Sequence, residues 1–215
     1  MQDNYNSLDN LETTFAKSTV TQERVSLVAS HMYKQYLQYN SALSFGYQTF
    51  LEINKEVEII ADIMKQSFAV RNIPTQHIFV EKDAKDPTVI MFNILWHKIS
   101  FSVRSNLIPT SLPRENGKPP ILSYRIMAVN GNYNELLKNV DKNNTELDIL
   151  LEQEIASLFI PSEKTQPAIM TFRRLANKEL SLSSVDASRE FVLKVLETVC
   201  GGNIYHKFCD RKQLF

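Results

Sequence analysis

Glycine is scarce, at 5 of 215 residues, which leaves little material for the loops that let a backbone wrap phosphates or dinucleotides. Cysteine is scarcer still. Cys200 and Cys209 are the only two, both near the C-terminus, which excludes a disulfide-stapled fold and fits a reducing cytoplasm. Net charge is missing as well, because 24 Lys and Arg balance 24 Asp and Glu. Indiscriminate binding to polyanions is therefore excluded. No run approaches the roughly eighteen apolar residues that a bilayer-spanning helix requires, and the opening MQDNYNSLDNLETTF has neither the basic nor the apolar region of a secretory signal. A cytoplasmic protein that engages no membrane is the expectation.

The motifs of common catalysts are also absent. There is no G-x-S-x-G elbow, P-loop or H-E-x-x-H, and His31, His77, His97 and His206 stand apart without acidic neighbours. No cofactor and no metal are expected, and the reading leans away from an enzyme. What remains is ordinary globular material, 43% apolar and 22% charged. A chain of this length buries roughly 70% of its unfolded surface, enough for one core.

Local patterns predict an α+β fold: N-terminal helices, then a mixed sheet of about five or six strands with packing helices. Asp9 with Glu12 and Thr19 with Gln22 are spaced as capping boxes. Val25, Val28, Met32, Tyr36 and Tyr39 recur at helical steps, Asn40 and Ser41 interrupt them, and Phe50, Ile53, Val57, Ile60, Met64 and Phe68 resume. Residues 1–70 thus read as a helical arm or subdomain, and 71–215 as an α+β domain forming one continuous unit with it.

Beyond Pro74 the period falls to 2. Strands are expected at 77–81 and across 88–103, where a hairpin turning near Trp96 to Lys98 is favoured over one long bent strand. Residues 105–120 hold four of the eight prolines and read as a long irregular connection. A strand over 121–129, an Asn130-Gly131 turn and a short helix capped by Asn132 follow. Thr145 then caps a helix whose apolar stripe runs from Leu147 to Phe159 and ends at Pro161. Residues 168–173 read as a strand, SLSSVDAS as a link, 191–199 as a helix, and Ile204 to Cys209 as a final strand.

Several constellations suggest chemistry without completing it. Helix, three strands, helix, strand is the core order of the restriction-endonuclease-like nucleases, where clustered acids hold a divalent metal. The expected strands instead offer Ser100-Phe101-Ser102 and Ser123-Tyr124-Arg125, and Asp83-Ala84-Lys85 and Asp210-Arg211-Lys212 are chance-level triplets. Cys200, His206 and Cys209 match no standard zinc spacing. Arg24 and His31 share a helix face, which alone says little about phosphate chemistry. Residues 153–165 echo a helix-turn-helix, but Pro167 would break the recognition helix.

Two positive signals survive. By segment, residues 1–70 hold 5 basic and 8 acidic groups, 71–130 hold 8 and 4, 131–163 hold 2 and 7, and 164–215 hold 9 and 5. Arg104, Arg114, Lys118 and Arg125 flank or occupy the proline-rich connection and Arg173 and Arg174 end a later strand, so a local basic face is a candidate binding surface. The second is aromatic. Tyr33 and Tyr36 lie with Tyr39, Tyr47 and Phe50 in one short stretch, a composition typical of protein interfaces.

The function expected from these signals is a non-catalytic interaction protein, an accessory subunit docking on a larger protein partner. The alternative is a nucleic-acid-binding domain or a nuclease with a degenerate or unusual site.

Overall fold

The computed structural model describes residues 5–83, 86–104, 110–112, 121–173, 179–183 and 185–201, with the side chains of 5–18 and 110–112 left aside. Helix α1 spans Tyr5–Val70, 66 residues without a break, about 100 Å at 1.5 Å per residue. The interruption expected at Asn40 and Ser41 does not occur. Neither residue costs a helix interior more than about 0.7 kcal/mol, and the turn that follows is held by buried Ala42 and half-buried Leu43. The capping pairs at Asp9 and Thr19 likewise mark no boundary between helices.

Strands β1 (Ile78–Lys82), β2 (Val89–Ile94) and β3 (His97–Ser102) form a meander. The β2–β3 hairpin turns at Leu95 and Trp96, where Leu95 takes φ 55°, close to the turn predicted at Trp96 to Lys98. Next come β4 (Thr110–Leu112), β5 (Ile121–Asn130) and the short helix α2 (Tyr133–Leu136). The Asn132 side chain accepts from the amides of Asn134 and Glu135 at its start, as expected. Helix α3 (Glu146–Glu152), β6 (Glu154–Pro161), β7 (Ala168–Phe172), β8 (Glu179–Leu182) and α4 (Ala187–Cys200) complete the described chain.

The strands lie in the order β1-β2-β3-β5-β6-β7-β8, and β4 pairs with β5 off that path. Every described pairing is antiparallel. The α+β class holds, while the sheet is antiparallel rather than mixed and exceeds five or six strands. The additions are β4, inside the proline-rich connection, β6, and β8, which takes in the start of the serine-rich link.

One helix assignment needs correction. The stripe from Leu147 to Phe159 divides at Gln153: α3 carries Ile149 and Leu150, and the remainder is strand β6. A short apolar run cannot be told from a helix by period alone, and pairing with the long strand β5 from Ser123 to Val129 decides the matter. The helix-turn-helix echo at 153–165 disappears with it. The expected strand at 204–209 lies outside the described residues.

The sheet is covered on both sides. On the front, Phe92, Phe101, Ile126 and Leu158 pack under Phe50, Ile53 and Val57 of α1 and Phe191 and Val195 of α4. On the back, Met91, Met127 and Val129 pack with Tyr133 and Leu150 from the α2 and α3 region. Burial on both faces is why β2 reads as a nearly continuous apolar run. Close approach of α1 to β5 depends on Gly46, where a Cβ would stand 2.1 Å from the Tyr124 ring.

Candidate interaction surface

Helix α1 has two halves. From Ala42 to Met64 its apolar stripe is covered by the sheet, with Phe50, Ile53 and Val57 fully buried. From residue 19 to residue 37 every residue is exposed. Large apolar side chains stand in water throughout that stretch: Met32 is 62% exposed, Tyr33 62% and Tyr36 60%, alongside Val25, Val28 and Leu37. At 1.5 Å per residue the stretch is about 28 Å long. A contiguous apolar surface of that extent on a monomer marks an interaction site far more often than scattered single exposures do. Tyr33 and Tyr36 therefore sit where the sequence placed them, on a helix face, and they are not part of the core. Arg24 and His31 are on the same exposed stretch.

The arginines tell a different story. Arg104, just past β3, directs Nη2 to Asp86 at 2.9 Å and Nη1 to Glu146 at 3.2 Å. Its guanidinium also lies 5.5 Å from the centre of the Tyr133 ring. The Tyr133 hydroxyl donates to Glu146, and the Tyr133 amide donates to Ser100 Oγ at 3.0 Å. Desolvation pulls the Arg104 pKa down, but the Glu146 hydrogen bond and the surrounding negative charge outweigh it and raise the pKa. Burial, then the Glu146 contact, raises the Tyr133 pKa well above the ordinary phenol value. This cluster fastens α2 and α3 to the back of the sheet.

Arg125, on β5, donates from Nε to Ser157 Oγ at 2.8 Å and from Nη2 to Glu154 Oε1 at 2.8 Å. Ser157 donates in turn to Glu154 at 2.5 Å, and Arg173 approaches the other Glu154 oxygen at 3.6 Å. Glu154 is only 5% exposed. The buried Glu154 carboxylate, bonded at Oε1 by Arg125 and Ser157 and approached at Oε2 by Arg173, is the centre of an internal ion-pair cluster.

The structure thus brings Arg125 and Arg173 together on one carboxylate and places Arg104 on another set. Arg114, Lys118 and Arg174 lie outside the described residues. The acids that hold these arginines, Asp86, Glu146 and Glu154, are 18, 42 and 29 residues away in sequence, so no local motif announces them. A weak signal did exist for Glu154, an acid that opens the mostly apolar run of β6. No group of His, Cys, Asp and Glu among the described residues is arranged to hold a metal ion. Cys200 is exposed at the end of α4, and His206 and Cys209 lie outside the described residues. No described helix is long and apolar enough to cross a membrane.

No family model matches the sequence, and no curated protein or solved structure matches it either.

Proposed function

We propose that the chain is a non-catalytic interaction protein, an accessory factor or subunit, that docks on a protein partner through the exposed half of α1. The observation that carries this reading is the unbroken exposure of residues 19–37 with their large apolar side chains. Burying such side chains against a partner is worth roughly 1.5–3 kcal/mol each, and aromatic anchors concentrate binding energy. The nucleic-acid reading is weaker, since Arg104, Arg125 and Arg173 each serve a carboxylate.

The test is co-purification from the native cell with the intact chain and with a Tyr33→Glu/Tyr36→Glu variant. Loss of the co-purifying protein with unchanged unfolding of the body supports the proposal. Retention of the same partner by the variant overturns it. Retention of the chain on nucleic acid at low salt, released as salt rises, would favour the alternative.

A further inference from the structure

The covered half of α1 repeats every seven residues, with Leu43, Gly46, Phe50, Ile53, Val57, Ile60 and Met64 at steps of three and four. Carried toward the N-terminus without a shift, the register passes through Tyr39, Tyr36, Met32, Ala29 and Val25. Gln22 and Ser18 then place two polar residues in it, and the sequence resumes with Phe15, Leu11 and Leu8. A strict seven-residue repeat drifts by about 20° per heptad around a straight helix. A second helix can follow that drift by supercoiling.

We propose that the exposed seam pairs with the same seam of a second copy of this chain, the two arms forming a two-helix coiled coil. This rests on the reading of the arm as the contact element and names its occupant. Charge places no obstacle to a second copy. The positions flanking the seam are Ser26, Val28, Tyr33, Gln35 and Asn40, where coiled coils place the charges that reject or recruit a different partner. None of the five is charged, so identical chains meet no repulsion. Glu23, Arg24 and Lys34 fall on the outer side, and a chain of zero net charge offers no long-range barrier to self-association.

Size agrees with this choice. If each of the five seam side chains from Val25 to Tyr39 buries on the order of 100 Å² on pairing, two arms remove on the order of 1,000 Å² from water, the size of a weak, concentration-dependent interface. The seam also continues the interface that α1 already makes with the sheet, so its helical geometry is set before any partner arrives.

Sedimentation equilibrium of the full chain from about 1 to about 100 µM tests the pairing. The expected mass at high concentration is twice 24.8 kDa, with Met32→Glu weakening association at least about 100-fold because a charge enters the seam. Lys34→Glu, on the outer side, and Met32→Leu, which keeps the seam apolar, remain dimeric. Circular dichroism of the variants separates lost pairing from lost helix. A monomer at about 100 µM, or a dimer indifferent to Met32→Glu, overturns the proposal. A monomeric parent chain whose Met32→Glu variant loses a partner in cell extract overturns only the self-pairing. If that substitution changes neither mass nor partner, the contact reading falls with it.

Discussion

Between residues 42 and 64, helix α1 is roofed by the sheet; between 19 and 37 the same helix, with the same kinds of side chain at the same spacing, faces water. The two halves differ in what they touch and hardly at all in what they are made of. In the covered half, tertiary burial supplies the stability, since Phe50, Ile53 and Val57 are fully enclosed. In the exposed half, helix formation has no such support. Isolated helices of this length are marginal in water, but elongation from an existing helix avoids the nucleation penalty. The body therefore acts as a template that presents an apolar helix it does not itself bury.

Substitutions at equivalent positions of the two halves should separate them most widely. Phe50→Ala is expected to cost the body about 3–5 kcal/mol by denaturant unfolding, while Tyr36→Ala costs a dilute sample under about 0.5 kcal/mol. Similar losses at both sites would erase the distinction.

Glu154→Ala should follow closely, at about 3 kcal/mol in the same assay. It strands the guanidinium of Arg125, whose side chain is 18% exposed. A near-neutral result would mean that the arginines are freer than their contacts indicate, and would revive a polyanion surface.

Gly46→Ala probes the point where α1 meets β5. The added methyl collides with Tyr124, so a loss of about 1–3 kcal/mol is expected, confined to unfolding of the body and leaving arm-mediated association intact in the fraction that folds.

Thr145→Ala is expected to cost about 1 kcal/mol through a lost helix cap. It also carries a pH signature. Hydrogen bonds from the Thr145 hydroxyl and amide hold the Asp148 carboxyl below the ordinary aspartate range. A depressed folded-state pKa stabilises the fold above the unfolded value, and that contribution is lost as pH falls through the folded one. Stability of the parent should decline across the acid range more steeply than that of Thr145→Ala, and parallel curves would contradict the cap.

Much of the fold was legible locally. Strand alternation located the β2–β3 hairpin, and side-chain chemistry located the caps at Asn132 and Thr145. Long-range pairing decided what was not. Residues 154–159 carry an apolar run compatible with helix or strand, and only the β5 ladder chooses. Asn40 and Ser41 look like a break because the packing around Ala42 and Leu43 cannot be read from propensity. The aromatic stretch was identified as an interface candidate, but its division between exposed Tyr33 and Tyr36 and buried Phe50 depends on where the sheet ends. The basic face was legible only as charge, because Arg104, Arg125 and Arg173 each find an acid far along the chain.

Hydrogen exchange across α1, read at about 1 and about 100 µM, tests the two-halves account most directly. Amides of residues 43–64 should stay protected at both concentrations, as part of the globally stable body. Those of 19–37 should exchange quickly when dilute and slowly when concentrated. Fast exchange of 19–37 at both concentrations would contradict pairing between copies of the chain, and protection equal to that of 43–64 at both would contradict the difference between the two halves.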